Sequence, residues 1–232
     1  MQSNYKDSIE ILCIGTELLL GNILNSNAKW LAEELSSLGL LHYRQTVIGD
    51  NSSRLNDVII EVSNRSRILI TTGGLGPTPD DITTETIALA FNFQLEKNQT
   101  VWENIQKKLT LTSSSLSKNN EKQAFFPKNS SIIPNESGTA PGMIWSPKDG
   151  FTILTLPGVP SEMKDMWHKT AKPWLIKNGG NKSSFVSRII HFADIRESVL
   201  AEDIEDLLTS NNPTIAPYAS LGEVRLRITA KA

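Results

Sequence analysis

Gly73, Gly74, Gly76, Asp80 and Asp81 lie close together in the stretch T-T-G-G-L-G-P-T-P-D-D, residues 71–81. Glycines let a backbone approach a ligand because they carry no side chain. A helix predicted to start just beyond them would offer unpaired amide donors and a positive dipole end, which suit phosphate. The two aspartates suit the opposite partner, a hard cation. Phosphate and cation held together point to nucleotide chemistry. Without function, the same residues would be a glycine turn before an acidic helix start, which stabilises any helix. The added P-T-x-D-D tilts the balance toward a site. The segment is not a P-loop, since no Gly-Lys-Ser/Thr follows, and it is not the dinucleotide G-x-G-x-x-G.

Other segments share this character. Gly15-Thr16-Glu17-Leu18-Leu19-Leu20-Gly21 is followed by Asn25, Ser26 and Asn27. Glu17 interrupts an apolar stretch and could be a metal ligand or a general base. Asn25 taken alone reads first as a helix N-cap. Pro157-Gly158-Val159-Pro160-Ser161-Glu162-Met163 joins a strand to a helix. It could present amides to a second part of one ligand, although on its own it reads as a rigid turn capped by Ser161. Asn135 to Met143 is a loop dense in small residues, of a kind that often lines sites. His42, His168 and His191 are scattered and form no metal-ligand spacing. Cys13 falls in an apolar strand and reads as buried and inert. The five tryptophans are dispersed and read as packing residues.

The elements that must position these residues follow from periodicity. Strands are predicted at Ile9 to Ile14, His42 to Val47 and Ile68 to Thr72. Helices are predicted at Asn25 to Leu38, from Ser52 as cap, and at Asp81 to Phe91. Strands alternating with helices over short connections predict a parallel, layered α/β sheet. In such sheets the ligand sits beyond the carboxyl ends of the strands, where the glycine segment falls. Further along, the pattern predicts a helix at Thr100 to Leu109, an exposed loop at Leu111 to Asn120 and a strand at Phe151 to Leu156. A helix from Ser161 to about Ala171 is expected to end at Pro173. Lys177 to Ser184 has linker composition. A strand (Phe185 to Phe192), a helix (Arg196 to Leu208) and a strand (Glu223 to Thr229) follow, which is short for an independent core. The sequence stops right after that strand, as a fragment would.

The 232 residues carry 39% hydrophobic and 21% charged residues, ordinary values for a soluble domain, with a formal net charge of -2. No basic field would draw the chain to nucleic acid or an anionic membrane. No apolar run spans a bilayer and no secretory signal is visible, so a cytoplasmic protein without a membrane partner is expected.

Taken together, four segments closely resemble the CinA family of competence/damage-inducible proteins. They are I-G-T-E-L-L-L-G-N-I-L-N-S-N-A (14–28), T-T-G-G-L-G-P-T-P-D-D-I-T (71–83), N-E-S-G-T-A-P-G-M (135–143) and L-P-G-V-P-S-E-M (156–163). Residues 195–198 and 212–218 resemble the family's small middle domain. The resemblance implies a three-layer α/β/α sandwich of the molybdenum-cofactor-biosynthesis (MogA/MoaB) type with a mostly parallel sheet over residues 1–175. A small α+β domain, incomplete here, would follow over 185–232. It implies metal-dependent hydrolysis of ADP-ribose to AMP and ribose 5-phosphate. A molybdopterin-binding, adenylyl-transferring protein and a non-catalytic nucleotide-binding module remain open alternatives. No segment corresponds to the nicotinamide-mononucleotide deamidase domain that many members carry, so deamidation is not expected of this chain. By position, Gly73, Gly74 and Gly76 would cradle phosphate, and Asp80 and Asp81 would hold Mg, Mn or Co. Glu17, Asn25 and Asn27 would line the same pocket, Gly158 and Glu162 its far wall, and Thr78 and Thr83 would add hydroxyl contacts. Gln123 fits a family segment without an evident role. The expected partner is a small nucleotide, with no direct nucleic-acid contact, and self-association as a homodimer is expected.

Overall fold

The computed structural model describes residues 8–111, 117–179, 185–220 and 222–231. They divide into a larger unit ending near residue 180 and a smaller unit built mainly from the residues after it. In chain order the larger unit carries β1 (Ile9–Ile14), α1 (Thr16–Leu19), α2 (Ser26–Ser37), β2 (His42–Ile48), α3 (Ser52–Arg65), β3 (Ile68–Thr72) and α4 (Thr83–Ala90). There follow β4 (Leu95–Lys97), α5 (Gln99–Leu111), a 3-10 segment (Lys118–Ala124), β5 (Phe125–Pro127), β6 (Ser131–Ile133), β7 (Gly142–Lys148) and β8 (Phe151–Leu156). Two helices, α6 (Pro160–Met166) and α7 (Lys172–Asn178), close the unit, joined by a π-turn at Trp167–Ala171.

The main sheet has the order β2-β1-β3-β8-β7-β6. Its first four strands are parallel, and β7 and β6 add antiparallel. All residues of β1 and β3 are buried, as continuous apolar runs covered on both faces must be. Leu12, Ile14 and Leu69 pack with Leu55 and Ile59 of α3, Ile87 of α4 and Val101 and Ile105 of α5 in one core. The other layer holds α2, α6 and α7. There Trp30 meets Trp167 edge to face, and Trp167 Nε1 donates to Glu34 at 2.7 Å. The large unit is thus the expected α/β sandwich.

The topology fixes where a ligand belongs. The chain runs from β1 outward to β2, then returns to lay β3 on β1's other side. The carboxyl ends of β1 and β3 flank this switch point, where open α/β sheets form their crevice. Gly15 follows β1, Gly73 follows β3 and Pro157 follows the neighbouring β8.

Several expectations are corrected. Asn51, not Ser52, caps α3, its Oδ1 accepting from the Arg54 amide at 3.1 Å. The helix expected from Asp81 starts at Thr83. Pro173 does not end a helix. It sits in the first turn of α7, directly after the π-turn. Part of the loop expected at Leu111 to Asn120 is helical, and residues 112–116 of it, like residues 180–184 of the expected linker, lie outside the described residues.

The smaller unit has β9 (Phe185–Ala193), α8 (Glu197–Asp203), α9 (Glu205–Leu208), β10 (Thr214–Ser220) and β11 (Glu223–Lys231). The expected single helix at Arg196 to Leu208 is broken at Ile204 into α8 and α9. The antiparallel order is β10-β11-β9, with Leu200, Val224 and Leu226 buried. No helix among the described residues is long and apolar enough to cross a membrane.

Candidate functional site

A cavity of about 440 Å³ lies over the switch point. Its lining combines Gly15 and Glu17 after β1, Asp50 after β2, Gly73 to Pro77 with Asp80 and Asp81 after β3, and Pro157 to Val159 with Glu162 after β8. Of the residues singled out in the sequence, Glu17, Gly73, Gly74, Gly76, Asp80, Asp81, Gly158 and Glu162 therefore share one cavity. Thr78, Thr83, Asn25 and Asn27 are not in its lining.

The glycine loop has its shape for steric reasons. Gly73 has φ +106° and Gly74 φ +67°, conformations that L side chains rarely adopt. A Cβ on Gly73 would overlap the Ile14 carbonyl oxygen, and one on Gly74 would overlap the Thr83 hydroxyl. The Gly73 amide is already bonded to the Leu156 carbonyl at 3.1 Å, so it is no phosphate donor as the loop stands. Among the described residues, the amides of Gly74, Leu75 and Gly76 make no hydrogen bond. Successive unpaired N–H groups of this sort form an anion-binding concavity.

Polar side chains brace this loop. Thr83 is fully buried, and its Oγ1 donates to the Gly73 carbonyl at 2.9 Å while its amide donates to Gly74 at 3.1 Å. Gln123 lines the cavity and donates Nε2 to the Leu75 carbonyl at 3.2 Å, which gives this residue its role. Lys122 donates to the Thr78 carbonyl at 2.7 Å. The 3-10 segment thus fastens the loop from outside at two carbonyls. Asn27 ties three elements: its Nδ2 donates to Thr72 Oγ1 at 3.0 Å and to the Gly158 carbonyl at 2.8 Å. Asn25 caps α2, its Oδ1 accepting from the Ala28 amide at 3.1 Å. These bonds brace the pocket, while Asn25 and Asn27 also line a small adjoining cavity with Glu17 and Gly158, where Asn27 Oδ1 is buried without a hydrogen-bond partner among the described residues.

The carboxylates differ in freedom. Asp81 packs against Gly76, and its Oδ2 accepts from the amide and hydroxyl of Thr78, which is how Thr78 is used. Asp50 accepts from the Thr16 amide and hydroxyl, both at 2.8 Å, and so anchors α1. Glu162 accepts from Asn135 Nδ2 at 2.6 Å. Glu17 folds back over Gly15. Asp80 is exposed, and hydrogen bonding at Thr78 and at its own amide, together with the Lys122 charge, holds its carboxyl below the usual carboxylate range. It is ionised at neutral pH. Cys13 is fully buried, and burial pushes its thiol up, consistent with an inert side chain.

Asp50 was not singled out in the sequence. Its signal was present: an acidic residue right after Gly49, which follows β2 as Gly15 follows β1. No trio of His, Cys, Asp or Glu preformed to hold a metal ion occurs among the described residues. The all-oxygen donor set nevertheless fits Mg or a similar ion, which binds through one or two carboxylates completed by water and substrate phosphates.

With this geometry in hand, comparison with known proteins places the chain. Residues 10–177 match the family described as "Probable molybdopterin binding domain", so the large unit is a domain of that class. Residues 187–232 match the "Damage-inducible protein CinA KH domain". The CinA-like protein of Prochlorococcus marinus (strain MIT 9313) is 63% identical over 99% of this chain. That of Synechococcus sp. (strain CC9902) is 59% identical over 97% of it. The chain belongs to the CinA-like family. It covers 54% of each of those two relatives, about half their length. A crystal structure of CinA from Thermoplasma acidophilum, titled as being of unknown function, is similar with a TM-score of 0.67 at 30% identity. The match covers 74% of this chain and 99% of that one.

Proposed function

We propose that the large unit hydrolyses the pyrophosphate bond of a nucleotide diphosphate, ADP-ribose being the substrate, to give AMP and ribose 5-phosphate. The observation that carries this reading is that Gly74, Leu75 and Gly76, whose amides make no hydrogen bond among the described residues, line one cavity with the carboxylates of Glu17, Asp50, Asp80, Asp81 and Glu162. Amides in a row suit the oxygens of a diphosphate. Carboxylates in the same cavity would repel that anion unless a cation lay between them, so the two sets imply a ternary arrangement.

Asp80 and Asp81 are the side chains that would hold that cation, Asp80 being the more exposed of the two. When bound, a divalent ion would neutralise phosphoryl oxygens and lower the pKa of a coordinated water. Glu17 would accept the proton of the attacking water. Water oxygen bonds to one phosphorus as the bridging P–O bond breaks, and the departing phosphate takes a proton from solvent. The amides of Gly74 to Gly76 would bind the charge that builds on the non-bridging oxygens, and Gln123 would hold that loop still.

A second reading comes from the family description, which names molybdopterin. It has adenylyl transfer to a pterin phosphate in the same cavity. Incubating the chain with ADP-ribose, or with molybdopterin and ATP, each with and without Mg, Mn or Co, separates the two. Chromatography should show AMP and ribose 5-phosphate only with ADP-ribose and cation. Adenylylated pterin without any AMP from ADP-ribose would overturn the hydrolase reading.

A further inference from the structure

A second cavity, about 410 Å³, opens beside the first, and Thr139 belongs to the lining of both. The two are chemically unlike. The first is walled by amides and carboxylates. The second is a slot between α5 and the segment 132–141, with Val101, Ile105 and Ile132 among its aliphatic walls. Asn104 on α5 lines it with an exposed carboxamide, for which the described residues provide no hydrogen-bond partner.

The partition between the cavities is built and held from both sides. From the slot, Lys108 donates to the carbonyls of Asn135 and Gly138, the latter at 2.9 Å. From the other side, Glu162 accepts from Asn135 Nδ2, which also donates to the Ala140 carbonyl at 3.0 Å. Asn135 Oδ1 accepts from the Gly138 amide at 2.7 Å. The Glu162 carboxylate occupies the space a Cβ on Gly138 would need. Two adjoining compartments are therefore separated by a hydrogen-bonded partition.

We propose that the slot seats the planar heterocyclic end of the ligand whose phosphates lie on the glycine loop, which for a nucleotide is its base. The inference rests on the phosphate-binding reading above and adds where the rest of the substrate goes. Val101, Ile105, Ile132, Pro134 and Pro141 give the slot apolar walls that suit the faces of a flat ring, among polar residues that include Asn98, Asn104 and Glu136. A carboxamide supplies both a donor and an acceptor, as a base edge requires. Thr139, shared by the two cavities, sits where a sugar linking ring to phosphate would pass.

Titration calorimetry on the whole chain with AMP, ribose 5-phosphate and 6-hydroxymethylpterin tests this without requiring turnover. Asn104→Trp would fill the slot from an exposed helix position, and Asn104→Ala would remove only the carboxamide. AMP affinity should fall about 10-fold or more in Asn104→Trp and about 3-fold in Asn104→Ala, with ribose 5-phosphate affinity unchanged in both. If only the pterin binds and Asn104→Trp weakens it, the slot stands and the nucleotide reading falls. Unchanged ring-ligand affinities in Asn104→Trp would overturn the inference. So would an equal loss for ribose 5-phosphate, or a wild-type chain that binds none of the three.

Discussion

At the amino end of the parallel sheet, Glu10 is 3% exposed and every approach to it is satisfied: Arg65 grips both carboxylate oxygens at 2.6 and 2.7 Å, and Ser66 donates to one. At the carboxyl end the same strands deliver Glu17, an exposed Asp80 and three amides that make no hydrogen bond among the described residues. Burial alone would push the Glu10 carboxyl up, but the hydrogen bonds from Arg65 and Ser66 outweigh it and hold it below its ordinary value. Charge closed on itself makes structure, and charge left open to a cavity can do chemistry. The difference is readable from hydrogen-bond partners before any ligand is known.

Substitutions at the two ends should break in different ways. Asp80→Asn at the open end should lower cation-dependent turnover about 100-fold, the scale for losing one placed electrostatic group, with the thermal midpoint unchanged. Steady-state assays beside a melting curve measure both. Glu10→Gln at the closed end should do the reverse. It should cost about 3 kcal/mol in urea unfolding, because it leaves Arg65 inadequately paired, while turnover per folded molecule stays the same. The sign with pH follows from the lowered folded-state value. Stability from Glu10 is present above its unfolded value, 4.5, and is lost as pH falls through the folded value. The gap between wild type and Glu10→Gln should therefore narrow in acid. The smallest effect belongs to Gln123→Ala. It frees the Leu75 carbonyl without touching a carboxylate, and should raise KM by about 3-fold with little change in melting.

The sequence carried the fold well where both faces of a strand are covered. The apolar runs of β1, β3 and β8 stand where periodicity put them. Strands β7 and β10 were missed because Ser146, Pro147 and Pro217 interrupt their pattern. β10 tolerates Pro217 because it is an edge strand, and β7 has an irregular register between Trp145 and Lys148. The members of the site were legible as residues at strand ends, but their division of labour was not. Nothing in sequence separates Asn27, which ties Thr72 to Gly158, from Glu17, which lines the cavity, since only folding decides which polar groups find protein partners. Gln123 joins the site from an element distant in sequence, and no local pattern gives it the task of bracing the Leu75 carbonyl.

The central claim is that Gly74, Leu75 and Gly76 receive phosphate. Amide chemical shifts followed while AMP is titrated into labelled protein test it residue by residue. The shifts of these three amides should move together and saturate, while Gly73, bonded to the Leu156 carbonyl, moves least within the loop. Saturable shifts confined to residues outside 73–81 would contradict the account.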